Sequence, residues 1–151
     1  MGTRSMIGMV EADGSVRAIY CHWDGYVKHN GMILDKHYSD PAKVNALLDL
    51  GGLSVLGEEI GERRPFDTFN LADDEVDPRW ARWCLAYGRD RGETGQEAQV
   101  FASVRDYADQ AGSNGDEYRY LFDGAAWFVL SQYGDFAGKW DDVREALKDA
   151  A

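Results

Sequence analysis

Side chains able to do chemistry are most densely grouped at residues 20–26, which read YCHWDGY. This stretch holds a thiol, an imidazole, a carboxylate and three aromatic rings, and Gly25 near its end predicts a turn. Any contact with a ligand or a partner is therefore expected here first. The stretch matches no established catalytic motif, so the residues alone predict no reaction.

His22 and Asp24 raise the question of a metal site, because residues two apart in an extended strand project to the same side. With His29, which could fold back across the glycine turn, they would supply two imidazoles and a carboxylate, a donor set suited to a transition metal. Their spacing matches no established metal motif, however, and a His–Asp pair beside a turn is commonly a structural hydrogen bond. The structural interpretation is favoured, and we expect no metal and no cofactor.

The two cysteines, Cys21 and Cys84, lie far apart in the chain and lack a CxxC spacing. Their aromatic and aliphatic neighbours favour buried free thiols over a disulfide or a zinc site. Neighbouring residues of a strand point to opposite faces, so His22 cannot readily activate Cys21, and His29 or His37 would have to do so. Thiolate catalysis is therefore not favoured.

Trp23 and Tyr26 bracket the turn, where they could stack on a base, a sugar or a partner's side chain. The alternative is that both rings close the end of the core, which is the commoner position for aromatic residues. Arg4 and the run 89–91 could bind a phosphate group, although pairing with the abundant carboxylates is the favoured interpretation. The candidate binding residues near the turn are therefore Arg4, His22, Trp23, Asp24 and Tyr26.

The charge of the chain argues against direct binding of nucleic acid. The chain carries 16 basic and 27 acidic residues, and its net charge of −11 repels phosphate backbones. The acidity is uneven, because residues 1–50 carry a net −1, whereas residues 51–100 and 101–151 each carry −5. Such a surface favours partners with basic surfaces, and it could also imitate nucleic acid toward a DNA-binding protein.

An irregular acidic loop is predicted over residues 58–77, which show little hydrophobic periodicity. Segments of this length without regular structure are usually functional or mobile when they occur in compact domains. The loop contains the cluster Asp73-Asp74-Glu75, and these three residues complete the candidate binding set.

The hydrophobic pattern predicts a single α+β domain over residues 1–151, with an antiparallel sheet of about five strands and three to four packed helices. The strands expected are two hairpins and one further strand. No apolar run is long enough to cross a membrane and the N-terminus lacks a signal-peptide core, so the cytoplasm is the expected compartment. The hairpins are expected over residues 5–23 and 118–131, the further strand near 83–87, and the helices near 32–38, 41–50, 97–110 and 136–150.

Four segments of the chain carry a resemblance to known proteins: residues 3–8 (TRSMIG), 20–26 (YCHWDGY), 118–124 (YRYLFDG) and 127–129 (WFV). Together they resemble a group of small proteins of unassigned function encoded by bacteriophages and by prophages in bacterial genomes. The resemblance covers most of the chain, and the central loop is its least familiar part. It implies a phage accessory protein acting in the cytoplasm of a bacterial host, and it brings no catalytic residue with it.

Two hypotheses of different kinds follow from these observations. The first is a non-catalytic acidic protein that binds a host protein, through the acidic loop among other contacts. The second is a small enzyme or a binder of a small molecule or metal, centred on residues 21–26 and requiring a pocket where Arg4, His22, Asp24 and Tyr26 converge. A minor component of the virus particle is a third possibility. The identity of the partner and the oligomeric state do not follow from the sequence.

Overall fold

Strands and helices alternate along the chain and assemble into one sheet with helices on both of its faces. The computed structural model describes residues 2–133 and 138–149, and over these residues the sheet has eight strands and the chain has five α-helices. The strands are β1 (Ser5–Val10), β2 (Val16–Cys21), β3 (Leu53–Val55), β4 (Leu85–Ala86), β5 (Gln99–Phe101), β6 (Tyr118–Phe122), β7 (Trp127–Ser131) and β8 (Trp140–Asp142). The helices are α1 (Met32–His37), α2 (Pro41–Asp49), α3 (Tyr87–Arg91), α4 (Val104–Asp109) and α5 (Val143–Asp149).

Both predicted hairpins form, and aspartate side chains hold their turns. In the first, the Asp13 carboxylate accepts the backbone N–H of Ser15 at 3.0 Å, and Gly14 adopts the positive φ of +87° that a tight turn requires. In the second, Asp123 accepts two backbone N–H groups, from Ala125 at 2.9 Å and from Ala126 at 2.8 Å. Strands β1–β2 and β6–β7 are therefore fixed by local turn chemistry, which a sequence can reveal.

The sheet has mixed polarity, and its order is β4-β3-β2-β1-β6-β7-β8, with β5 also paired to β2. Strand β1 runs parallel to β6, with Ile7 opposite Tyr120, and β2 runs parallel to β3 at Cys21 and Leu53. The remaining pairs are antiparallel.

The expectation of an antiparallel five-stranded sheet with three to four helices is therefore wrong, although the α+β class fits. Strands β3, β5 and β8, which the sequence does not predict, contain only three residues each, which is too short for a period-two pattern to show. They exist because a longer neighbouring strand supplies their hydrogen bonds.

Three predicted elements differ from the structure in type or extent. The helix expected over 97–110 is split into β5, which pairs with β2, and α4, whose first turn is capped by Ser103 accepting the Asp106 N–H at 3.0 Å. The strand expected over 83–87 is confined to β4, and α3 starts directly after it. The closing helix expected over 136–150 begins as β8 and becomes helical only at Val143, while residues 136–137 and 150 lie outside the described residues.

The helix predicted near residues 41–50 forms as α2, and its capping explains where it starts. Asp40 accepts the Ala42 N–H at 3.0 Å, and Pro41 occupies the first helical position, where it costs no hydrogen bond. The buried stripe of Val44, Leu47 and Leu48 packs α2 against the sheet.

Each face of the sheet has its own hydrophobic cluster, because neighbouring strand residues point to opposite sides. On one face, which we call the α1 face, Ile7 and Ile19 pack with residues of α1, α2 and α5. On the other, which we call the α4 face, Met6 and Val16 pack with Tyr107 of α4. Each fully buried large apolar side chain contributes about 1.5–3 kcal/mol, so both faces stabilise the fold.

A buried ion pair lies beneath α4. The side chains of Arg119 and Asp116 are both fully buried, with Arg119 Nε 2.8 Å from an Asp116 carboxylate oxygen. Arg119 also donates to the Tyr107 carbonyl at 2.9 Å and to Ser113 Oγ at 3.1 Å, so its donors on that side have partners. The pair holds β6 to the segment that follows α4.

No helix in the part of the chain that the structure describes is long and apolar enough to cross a membrane.

Candidate functional site

The stretch 20–26 lies where β2 ends and the chain crosses the end of the sheet. Asp24 adopts a positive φ of +57°, which aspartate tolerates better than most residues. Gly25 follows in a tight space, where a Cβ atom would lie 2.8 Å from the Thr3 carbonyl oxygen. Its N–H donates to that same carbonyl, and its own carbonyl accepts the Tyr120 hydroxyl at 2.5 Å. The turn is thus tightly packed and is hydrogen-bonded both to the N-terminal segment and to β6.

Arg4 and His22 each lie beside Tyr20, on the α4 face. The Tyr20 hydroxyl lies 2.8 Å from His22 Nδ1, and the His22 ring contacts Trp23 edge-on at a centroid distance of 4.7 Å. Burial raises the pKa of Tyr20, and the nearby Arg4 guanidinium partly opposes that rise. Trp23 is 40% exposed, so this small group is open to solvent on one side.

Tyr26 and His29 belong to the opposite side of the sheet. A π-helix over residues 27–31 carries His29 and runs directly into α1. The Tyr26 and His29 rings lie 6.1 Å apart, and His29 Nδ1 lies 2.9 Å from Asn30 Oδ1. Asn30 is fully buried and donates to Cys21 Sγ at 3.5 Å, within the α1-face cluster.

The turn therefore separates residues that a metal or catalytic site would have to bring together. Arg4 and His22 lie on the α4 face, whereas Tyr26 and His29 lie on the α1 side. Within residues 2–133 and 138–149, no three His, Cys, Asp or Glu side chains form a group that could hold a metal ion. The contacts of this region group Arg4 and His22 around Tyr20 and group Tyr26 with His29, so the structure brings together only part of the set that the second hypothesis requires.

Both cysteines are free and buried, as the sequence predicts. Burial raises the pKa of the Cys21 thiol to about 12 and also raises that of Cys84. Because the thiolate is the nucleophilic form, neither sulfur is suited to attack a substrate at neutral pH.

The predicted acidic loop carries exposed acidic side chains and an exposed aromatic side chain. We call residues 65–78 the acidic arm, since they contain five acidic residues and no basic one. Asp73, Asp74 and Glu75 form a short, exposed 3₁₀ turn on it. Near the start of the arm, Phe69 is 91% exposed, the most exposed of the large apolar side chains that the structure describes. The other acidic residues of the arm are Asp67 and Asp77.

Three of the five carboxylates hold the arm in shape by accepting backbone N–H groups. Asp67 accepts from Phe69 at 2.9 Å, Glu75 from Ala72 at 2.9 Å, and Asp77 from Arg79 at 2.9 Å. The side chains of Asp73 and Asp74 make neither a hydrogen bond nor an ion pair within the described residues. These two carboxylates are consequently available to a partner.

Asp90 fixes the base of the arm to the body of the protein. Its side chain is fully buried and accepts the backbone N–H groups of Arg64 at 3.0 Å and Ala86 at 2.8 Å, as well as Arg89 Nε at 2.9 Å. Arg89 also donates to the Ile60 carbonyl at 2.8 Å. Arg89 is thus committed to internal partners, as the favoured sequence interpretation expects.

The two ends of the arm are also tied to each other and to the body. Arg64 donates to the Trp80 carbonyl at 3.1 Å, so residues on either side of the arm are linked. At the start of the arm, Phe66 stacks on Tyr87 at a centroid distance of 5.5 Å, with the Arg91 guanidinium 4.3 Å from the Phe66 centroid. The exposed residues of the arm are therefore joined at both ends to segments that these contacts hold in place.

Comparison of the chain with protein-family models, with curated proteins and with solved structures gives no match in any of the three.

The sequence alone does not identify two important residues of this region. Phe69 gives no separate signal, because an apolar residue in a loop is as often buried as exposed, although its acidic neighbours are visible in the sequence. Asp90 looks like one more surface carboxylate in a charged turn, and only the packing of α3 against residues 60–64 makes it a buried acceptor.

Proposed function

We propose that this protein acts by binding another protein through its acidic arm, without catalysing a reaction. One observation carries the proposal: Phe69 is 91% exposed within a stretch that holds five carboxylates and no cation. Aromatic side chains buried at the centre of an interface supply much of the binding energy, and surrounding charges add specificity and speed of association. The arm offers both kinds of group on one exposed segment.

The backbone of the arm is already partly ordered in the free protein, and this lowers the loss of conformational entropy on binding. Carboxylate-capped turns fix the backbone on both sides of Phe69, and the base is held by Asp90. A preorganised segment loses less conformational entropy on binding than a disordered one. Asp73 and Asp74 then remain to face basic groups of the partner.

The partner that fits has a basic surface with an apolar recess able to take a phenyl ring. The net charge of −11 steers the protein toward such surfaces and away from nucleic acid and other acidic molecules. The resemblance of residues 3–8, 20–26 and 118–124 to phage and prophage proteins supports a setting in which the partner is a protein of the bacterial host, met in its cytoplasm.

A pull-down from nuclease-treated bacterial lysate tests the proposal. The tagged wild type is compared with Phe69→Ala and with the double variant Asp73→Asn/Asp74→Asn, and bound proteins are identified by mass spectrometry. Val100→Ala is the matched control, because Val100 is 70% exposed but lies on β5, outside the arm.

A stoichiometric host protein that the wild type and the Val100→Ala variant retain should be lost with Phe69→Ala, since truncating a central aromatic anchor costs about 2 kcal/mol or more, roughly a thirtyfold loss of affinity. The double variant should weaken binding most at low salt, where charge attraction is least screened. Retention of the same protein by all variants, or the absence of any stoichiometric partner, would overturn the proposal.

A further inference from the structure

We infer that the surface bound by the acidic arm is one that otherwise binds single-stranded nucleic acid, an inference that rests on the proposed function above. Proteins that bind single strands combine a positively charged groove, which follows the backbone, with aromatic side chains on which bases stack. A protein that occupies such a groove has to present negative charges along an irregular chain together with a free ring face. The acidic arm presents both.

The order of groups along the arm matches this requirement. Phe69 lies between Asp67 on one side and the group 73–75 on the other, so carboxylates flank an exposed ring as phosphates flank an unstacked base. No basic residue interrupts the series over residues 65–78. The backbone there contains no strand, a short 3₁₀ turn over Asp73–Glu75 and the start of a second one at Pro78, so the charges lie along an irregular path.

The exposed ring favours an imitation of a single strand over that of a duplex. In a double helix the base faces are stacked on one another, and a protein reads phosphates and groove edges. A site shaped for a duplex would therefore offer nothing to the face of Phe69, which is 91% exposed. A site with aromatic stacking platforms would gain about 1–3 kcal/mol from each ring that it receives.

Because of the charge of the whole chain, the partner should not bind the arm and a nucleic acid at the same time. A protein with a net charge of −11 cannot share a basic groove with a polyanion without strong repulsion, so arm and nucleic acid should compete. The predicted behaviour is displacement: the partner releases single-stranded nucleic acid when it binds the arm, and releases the arm when single strands are in excess.

The experiment uses the host protein that wild type retains and Phe69→Ala loses, bound to immobilised full-length wild-type protein. Three competitors are added at equal anionic charge: a thirty-nucleotide oligo(dT), a thirty-base-pair duplex, and poly-glutamate. Release of the partner is measured against competitor concentration at constant ionic strength, because affinity for polyanions depends steeply on salt.

Release by oligo(dT) at about one-tenth of the concentration needed for the duplex or poly-glutamate is the expected result, since one additional stacked ring of about 1.4 kcal/mol corresponds to that ratio. Retention of the partner at saturating oligo(dT), or equal release by all three polyanions, would overturn the inference while the proposed function stood. If no host protein depends on Phe69 in the first place, the proposed function fails, and this outcome is recognised before any competitor is added.

Discussion

Replacing Asp90 with asparagine should loosen the base of the acidic arm while leaving every exposed group of the arm in place. One Asp90 oxygen accepts the Arg64 N–H and Arg89 Nε, and the other accepts the Ala86 N–H and Arg89 Nη2. An asparagine keeps only one of these oxygens. Whichever one is replaced, a buried backbone N–H then faces an amide NH₂, and Arg89 loses its anionic partner.

The size of the effect follows from these contacts. A buried donor left without an acceptor costs about 1–3 kcal/mol, and removing one partner of a buried ion pair costs about 3–5 kcal/mol. Arg89 keeps two carbonyl acceptors, Ile60 and Cys84, and its side chain is 16% exposed, which places the cost near the lower end. We expect a loss of about 3 kcal/mol in the free energy of unfolding, or roughly 6–12 °C in Tm for a chain of this length.

Urea unfolding followed by tryptophan fluorescence measures this loss, and hydrogen exchange locates it, because the Arg64 and Ala86 amides should lose protection first. Asp109→Asn is the control: its carboxylate is paired to Arg105 but 68% exposed, so the change should stay within about 0.5 kcal/mol. A loss below about 1 kcal/mol for Asp90→Asn, with unchanged exchange at Arg64, would refute the view that Asp90 anchors the arm.

Three other predictions concern the body of the protein. Arg119→Met should lower the free energy of unfolding by about 3–5 kcal/mol in urea titrations, because it leaves the fully buried Asp116 carboxylate unpaired; a change as small as that of Arg105→Met would contradict this reasoning. Cys21 should resist a thiol reagent at pH 8 until urea unfolds the chain, and rapid labelling of the native protein would argue against its burial. Because the native pKa of about 12 exceeds the ordinary 9.0, this thiol should lower the free energy of unfolding by about 1.4 kcal/mol for each unit by which the pH rises between these two values. The Cys21→Ala variant should show a smaller dependence of stability on pH over the same range. Gly25→Ala should cost about 1–3 kcal/mol by calorimetry, because its Cβ would lie 2.8 Å from the Thr3 oxygen and from Ser5 Cβ, and a neutral effect would show that the turn can shift.

The parts of the fold that could be predicted are those encoded by local signals. Asp13-Gly14 and the run 123–126 mark two turns, and Asp40-Pro41 marks a helix start, so both hairpins and α2 were predictable. Strands β3, β5 and β8 were not, because three residues are too few to show a period-two pattern, whereas β4 lies within the strand predicted over 83–87. The segment 99–101, predicted as helix, is instead a strand, since pairing with β2 overrides its helical periodicity.

The candidate site was likewise predictable only in part. The acidic character of residues 73–75 and their place in an irregular segment could be read directly from the sequence. The grouping of Arg4 with Tyr20 and the separation of His22 from His29 could not, because both depend on the chain crossing the end of the sheet at Asp24 and Gly25.

The parallel pairing of β1 with β6 places two strands that are far apart in the sequence side by side in the middle of the sheet, with Ser5 opposite Tyr118, which follows it by 113 positions. On a ribosome that adds about 5–20 residues per second, synthesis of the first hairpin is complete roughly 5–20 s before that of β6. During that interval β1 has one uncovered edge, and such edges invite pairing with other chains. A product terminated ahead of Tyr118 would lack β6, β7 and β8 and keep β1 as an uncovered edge strand, and it should collect in inclusion bodies however intact its first hundred residues are.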